Sequence, residues 1–132
     1  MKLRMLKQKF AVCQLSPTAS LPAWSMAGEC FSITRTPEEL SIVCEEKFAP
    51  AEIQKKGGWG AFQVVGPLDF SEVGILATLS KTLADVKISV FVFSTYDTDY
   101  ILVKDKSVAA ATKALQAAGH SVEPAPKKQT VV

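Results

Sequence analysis

The second half of the chain has the clearest pattern of apolar and polar positions. Residues 60–65 form a short, β-rich apolar run that ends at Gly66-Pro67. Asp69 and Glu72 follow with the spacing of a helix capping box, ahead of apolar residues at helical intervals, namely Val73, Leu76, Leu79 and Leu83. The pattern predicts a strand, a tight turn and a helix that begins near Asp69.

Two more strands and a second helix follow along the chain. Residues 88–93 are apolar on both faces, as in a strand in the middle of a sheet or one covered on both sides, and we predict that this strand is central. Residues 95–99 have turn composition and residues 100–103 form another β run, so the two strands are expected to make a hairpin. A helix over residues 106–118 is expected to end at Gly119. The predicted order is β, α, β, β, α.

The first half carries a weaker version of the same order. We predict strands over residues 6–15, 31–34 and 40–44, a helical turn within residues 21–26 and a short helix over residues 50–56. A shift of sixty residues places the first hairpin on the second, which favours an internal duplication. The predicted fold class is α+β, with two ferredoxin-like βαββαβ units packed side by side and helices on one face of antiparallel sheets. The predicted units are residues 1–58, which are degenerate with a short first helix, and residues 59–132.

Composition and charge exclude several classes of protein. The chain has 132 residues, is 48% hydrophobic and carries a formal charge of +2, which is too little for a partner bound through many phosphates. We therefore predict that nucleic acid is not a partner. A membrane is not predicted as a partner either, because no continuous apolar stretch approaches about 20 residues. Residues 10–28 imitate a signal peptide poorly, because Pro17 and Pro22 interrupt them. Three cysteines without a CxxC spacing favour the reducing cytoplasm, with no disulfide framework and no metal site.

Candidate catalytic groups are few. His120 is the only histidine, and no nucleophile motif accompanies it. The cysteines Cys13, Cys30 and Cys44 lie in strand patterns, where free Cys is usually a small buried hydrophobe. We predict that the chain is not an enzyme and needs no cofactor; a small thiol enzyme is the alternative.

Two loops of the second half suit a ligand that carries both charges. Residues 66–71 offer backbone N–H groups and the positive end of a helix dipole, which attract a carboxylate. Residues 96–99 offer two carboxylates, hydroxyl groups and an aromatic ring. Together they match a free amino acid, whereas separately the same residues are ordinary helix caps and turn formers.

Residues 64–76, the helix that follows them and residues 88–103 resemble the ACT domains of CASTOR-like amino-acid sensors, which are related to the regulatory domains of aspartate kinases. The resemblance is specific over about residues 59–119 and looser before them. It implies a tandem of βαββαβ units with a ligand at the interface between two of them. It also implies that the residue corresponding to Asp99 contacts a cationic ligand.

The resemblance implies eleven ligand-binding residues: Leu68, Asp69, Phe70, Ser71, Glu72, Gly74, Ile75, Thr95, Tyr96, Thr98 and Asp99. A glycine at position 74 would let a ligand or helix approach the backbone closely. The partner surface is expected from residues 32–36 and 38–41. The first unit lacks a clear equivalent of the motif at residues 66–71, so the sequence leaves open one site, two sites or none.

The functional prediction is a cytoplasmic, non-catalytic regulatory protein. It would bind a free amino acid, cationic if Asp99 has the implied role, and act through a protein partner or a homodimer. The alternative is a structural ACT module that oligomerises and binds no metabolite.

Overall fold

The computed structural model describes residues 1–66 and 73–125 and divides into two compact units. One unit is contiguous and comprises Gln8–Trp59, whereas the other combines Met1–Lys7 with the chain from Gly60 onward. We predicted a boundary after residue 58 with the first residues in the N-terminal unit; the contacts instead group residues 1–7 with the C-terminal unit.

The described residues form eight strands and two α-helices. The strands are β1 (Lys2–Met5), β2 (Phe10–Leu15), β3 (Ser32–Arg35), β4 (Leu40–Glu45), β5 (Lys55–Val64), β6 (Val90–Ser94), β7 (Asp99–Lys104) and β8 (Ser121–Glu123). The helices are α1 (Ile75–Asp85) and α2 (Val108–Ala117). Strand β5 begins in the N-terminal unit and ends in the C-terminal unit.

The N-terminal unit is an antiparallel sheet with the order β3-β4-β2-β5. One face carries its core, formed by Ala11, Cys13, Leu40, Ile42 and Cys44 and covered by loop residues that include Trp24 and Ile53. Helical structure within residues 8–59 is limited to the 3-10 turns Ala23–Met26 and Glu46–Phe48. The predicted helix over residues 50–56 is wrong, because Lys55 and Lys56 already pair with β2 in the sheet.

The C-terminal unit has the ferredoxin-like order βαββαβ, formed by β5, α1, β6, β7, α2 and β8, which confirms the predicted fold class. Its strand order is β6-β7-β5-β1-β8. The extra strand β1 lies between β5, to which it is antiparallel, and β8, to which it is parallel. Both helices pack on the sheet through buried residues of one core, among them Phe62, Leu79, Leu83, Ile101 and Leu115.

Strand β6 lies at an edge instead of the predicted central position. Among the described residues it pairs with β7 alone, and its apolar side chains are half-buried. Val90 and Val92 pack against the helix-covered core, whereas Phe93 stacks on Tyr100 with ring centroids 4.9 Å apart. Alternate residues of a strand face opposite sides of the sheet. The apolar residues on both faces of β6 are therefore explained by side-chain packing on each face, and not by a central position between two strands.

The start of α1 also differs from the prediction. The helix begins at Ile75, with Gly74 as its N-cap residue. Val73, which we predicted on the buried helix face, precedes the helix and is 90% exposed. The prediction is therefore wrong at Val73, and the expected helix start at Asp69 lies outside the described residues.

The two hairpins correspond with a shift of 59 residues, one fewer than predicted. Arg35 pairs with Leu40 at the end of the first hairpin, as Ser94 pairs with Asp99 in the second. The 3-10 turns that follow, Glu46–Phe48 and Asp105–Ser107, keep the same offset. Because a shift of one residue exchanges the two faces of a strand, Leu40 corresponds to Asp99 and not to Tyr100.

Candidate functional site

The loop between β6 and β7 is a tight, internally bonded turn. The Thr95 amide donates to the Thr98 carbonyl at 2.8 Å. The Thr95 hydroxyl accepts a hydrogen bond from the Thr98 amide at 3.2 Å. A threonine at the first position of the turn thus replaces water as the partner of a loop N–H group and fixes the loop conformation.

Thr98 ties this turn to the end of β5. Its side chain is buried, with 6% of the residue exposed, and its hydroxyl donates to the Val64 carbonyl. Val64 is the last residue of β5, directly before the segment that leads into α1. The hairpin and the end of β5 therefore share one edge of the C-terminal sheet, which is the juxtaposition expected from the sequence.

Asp99 lies opposite Ser94 at the end of the sheet where β6 ends and β7 begins. The two are cross-strand partners, and the Ser94 hydroxyl donates to Asp99 Oδ1. Ile101 and Val103 on β7 belong to the helix-covered core, so alternation places Asp99 on that face too. A carboxylate has about four acceptor positions, and Ser94 uses one of them, so Asp99 retains the capacity to bind a cation.

Tyr96 and Asp97 form the tip of the hairpin. Both are exposed, Tyr96 with 83% of its surface. An aromatic ring held on a fixed turn offers an apolar surface to the side chain of a ligand.

The start of α1 presents main-chain donors. Gly74, the N-cap residue, adopts a left-handed conformation with φ of 80° and makes no side-chain cap to the helix. A Cβ at position 74 would meet no atom of the described residues within 4 Å, and the left-handed backbone angle alone favours glycine here. Ile75, in turn, packs against the C-terminal core. The positive end of the α1 dipole lies at this helix start.

The structure places six of the eleven predicted site residues. Thr95, Tyr96, Thr98 and Asp99 lie together on the hairpin, and Gly74 and Ile75 form the start of α1. The remaining five, Leu68, Asp69, Phe70, Ser71 and Glu72, lie outside the described residues. Sequence reasoning missed Ser94, although a hydroxyl residue directly opposite Asp99 in a predicted hairpin was an available signal.

The hairpin of the N-terminal unit repeats the turn with different chemistry. The Thr36 amide donates to the Glu39 carbonyl at 2.9 Å, and the Thr36 hydroxyl accepts from the Glu39 amide at 3.1 Å. Glu39 Oε1 accepts from Gln14 Nε2 at 3.4 Å, so this turn is also tied to the neighbouring strand. Arg35 and Leu40, however, stand where the C-terminal hairpin has Ser94 and Asp99.

Other reactive groups are poorly suited to catalysis. Burial raises the pKa of the Cys13, Cys30 and Cys44 thiols, that of Cys44 to about 12, which disfavours the nucleophilic thiolate. Burial and the neighbouring terminal ammonium lower the pKa of His120. In residues 1–66 and 73–125, no group of three or more His, Cys, Asp or Glu side chains is placed to hold a metal ion. No helix in these ranges is long and apolar enough to span a membrane.

Two family models match the chain. A model described as an ACT domain matches residues 54–117, which confirms the resemblance of the C-terminal unit. A second model, which describes the N-terminal domain of a family named after one of its members, matches residues 8–52.

Individual proteins similar to this chain agree with the family models. The human protein CASTOR3P is 31% identical over 100 residues, which cover 64% of this chain and 60% of that protein, so the chain spans about 60% of the length of this curated relative. A crystallised protein from Agobacterium tumefaciens is 35% identical with a TM-score of 0.91, over 98% of this chain and 97% of its own. The regulatory subunit of aspartate kinase from Thermus thermophilus has a TM-score of 0.61 at 13% identity, over 89% of this chain and 96% of its own, and shows the fold alone.

Proposed function

The chain belongs to the same family as the Agobacterium tumefaciens protein and has an ACT domain over residues 54–117. On this basis we propose that it is a non-catalytic regulatory protein that binds a free amino acid beside the hairpin of residues 95–99. The observation that carries this proposal is the pair of bonds at one sheet edge. Thr98 fixes the hairpin to Val64, and Ser94 orients the Asp99 carboxylate.

The Asp99 carboxylate supplies the contact for a positive group of the ligand. It lies at the end of the helix-covered face and keeps acceptor positions beyond the one used by Ser94. A hydrogen bond between charged groups contributes about 1.5–3 kcal/mol, more than a neutral one. A cationic amino acid is therefore the favoured ligand class.

The segment that leads into α1 supplies the opposite charge complement. Main-chain N–H groups at a helix start and the positive dipole end favour a carboxylate, and the N-cap residue Gly74 has no side chain that competes for them. The predicted donors at residues 70–72 belong to the same segment. The ring of Tyr96 is proposed to pack on the side chain of the ligand.

The family resemblance, and not the geometry of this chain, supplies two further parts of the proposal. One is that the ligand bridges two ACT units. The other is that ligand binding regulates a protein partner, or a homodimer, in the cytoplasm. Regulation then requires that the partner favours one of two arrangements that the ligand binds unequally.

A thermal-shift screen against the twenty amino acids at millimolar concentration tests the proposal. A ligand at one hundred times its Kd adds about 2.7 kcal/mol to the free energy of unfolding. We expect a selective shift with a cationic amino acid that is lost in Asp99→Asn. The matched control is Asp97→Asn, which removes an exposed carboxylate two residues away. Equal shifts in both variants would contradict the role of Asp99.

The edge position of β6 favours a second candidate function. A strand with one neighbour in the described residues leaves backbone groups that pair with another chain, so the unit is suited to oligomerisation without a metabolite. Light scattering with and without the twenty amino acids separates the candidates. A flat thermal-shift panel together with a constant oligomer supports the structural module.

A further inference from the structure

We infer that the hairpin of the N-terminal unit is a closed counterpart of the ligand site, with the Arg35 side chain in the place that the ligand takes in the C-terminal unit. The chain accordingly binds one ligand, at its C-terminal hairpin. This inference rests on the proposed function for the location of the open site. The closure of the other hairpin stands on the contacts of Arg35 and can be tested alone.

The equivalence of the two hairpins is structural. In each unit the hairpin forms the edge of the sheet, and its second strand pairs with the strand that opens the repeat, β2 or β5. Both turns begin with a threonine that receives a hydrogen bond from the fourth turn residue. The offset of 59 residues therefore identifies which side chains occupy the same place.

Arg35 is exposed, and both terminal nitrogens of its guanidinium contact the loop after β2. Its Nη2 donates to the Ala19 carbonyl at 2.6 Å, and its Nη1 donates to the Pro17 carbonyl. Both carbonyls belong to the loop after β2, the first strand of the N-terminal repeat. The corresponding segment of the C-terminal repeat is the one that follows β5. The guanidinium of the protein's own chain thus binds the loop after β2, whereas the C-terminal unit has the much smaller side chain of Ser94 at the same hairpin position.

The N-terminal unit also has no carboxylate at the position that corresponds to Asp99. Leu40, the counterpart of Asp99, is fully buried in the apolar core and offers no acceptor. In place of α1, this unit has the 3-10 turn Ala23–Met26. The N-terminal unit therefore has neither the counterpart of Asp99 nor the counterpart of the α1 start, which are the two groups proposed to hold the ligand in the C-terminal unit.

A tethered side chain also has an advantage over a free ligand. Because Arg35 is part of the chain, its effective concentration at the two carbonyls reaches the millimolar range or more, typical of intramolecular binding. A free cation at physiological concentration would have to displace it without a counterpart of the Asp99 carboxylate, because Glu39 stands at the position of Thr98 and already accepts a hydrogen bond from Gln14. The second hairpin therefore stays closed to ligand.

Titration calorimetry with L-arginine as the probe tests the number of sites. We expect one molecule bound per chain in the wild type and no remaining binding in Asp99→Asn. Two molecules per chain, or half of the heat remaining in Asp99→Asn, would overturn the inference. No response to any amino acid in the wild type would instead contradict the proposed function.

Hydrogen exchange tests the closure without any amino acid. We expect faster exchange at the amides of residues 18–20 in Arg35→Ala, because the loop loses its guanidinium contacts. Millimolar methylguanidine should slow this exchange again in the variant, whereas methylamine, with one ammonium in place of the planar fork, should not. The control is Arg4→Ala, which removes an arginine of the other unit. Unchanged exchange in Arg35→Ala, or equal rescue by both cations, would overturn the role of Arg35 as occupant.

Discussion

The hydroxyl of Thr98 donates to the main-chain carbonyl of Val64, although 34 residues separate the two in sequence. This bond joins the hairpin to the strand that leads into α1. In Thr98→Val the shape is kept but the buried carbonyl loses its donor, so we expect a loss of about 1–3 kcal/mol in the free energy of unfolding. Thr98→Ser retains the hydroxyl and should lose less. Urea denaturation measures both, and equal losses would assign the effect to packing.

Gly74 provides a prediction about backbone strain. Its φ of 80° costs a residue with a Cβ about 1–2 kcal/mol, and the added atom itself would meet nothing within 4 Å. We expect Gly74→Ala to lower the free energy of unfolding by that amount and Gly74→Asn to lower it less, because Asn tolerates this conformation. A loss in Gly74→Asn as large as in Gly74→Ala would contradict the explanation.

Glu123 provides a prediction about pH. Hydrogen bonds from Lys2 and Arg4, at 2.8 and 3.0 Å, lower the pKa of its carboxyl below the usual 4.5. A lowered pKa stabilises the fold above the pKa of the unfolded chain, and that stability is lost as the pH falls through the folded value. We therefore expect Glu123→Gln to be less stable than the wild type at pH 7, with the difference vanishing near pH 2.

The melting temperature of both proteins between pH 2 and pH 7 checks this expectation. High salt should also reduce the difference at pH 7, because the three side chains are partly exposed. A difference that persists unchanged at low pH would show that the carboxylate charge is not its cause.

Thiol labelling distinguishes the cysteines. Cys13 and Cys44 are buried in the N-terminal core, whereas Cys30 is half-buried. We expect iodoacetamide at pH 8 to modify Cys30 first, and the other two only after denaturant is added. Mass spectrometry of peptides from native and unfolded protein measures the order. Rapid labelling of Cys13 or Cys44 in the native protein would favour the thiol enzyme considered from the sequence.

Local patterns predicted the elements whose cause is local. Alternation and turn residues indicated both hairpins, and helical periodicity with Gly119 located α2 within a few residues. Val73 was wrongly assigned to α1 because helical periodicity does not reveal that Gly74, with its left-handed angle, is the N-cap residue. The helix predicted over residues 50–56 failed for a non-local reason, since β2 recruits Lys55 as the partner of Cys13.

The candidate site was predictable to a similar extent. The hairpin residues were identified from composition and the family resemblance, and the Thr98 bond explains why they adjoin the end of β5. The roles of Ser94 and Arg35 needed the strand register, because a repeat shifted by one residue assigns them to the wrong face. Hydrophobic patterns alone do not fix a register to a single residue.

The position of β1 has a consequence for biosynthesis. Residues 2–5 leave the ribosome well before their partners, which are residues 62–64 and 121–123. The contiguous N-terminal unit can fold before β1 finds its partner strands. The long chain between β1 and those strands forms a loop whose closure slows the completion of the C-terminal sheet. A fragment that starts at Gly60 would carry an open slot between β5 and β8, which a synthetic peptide of residues 1–7 should fill in trans.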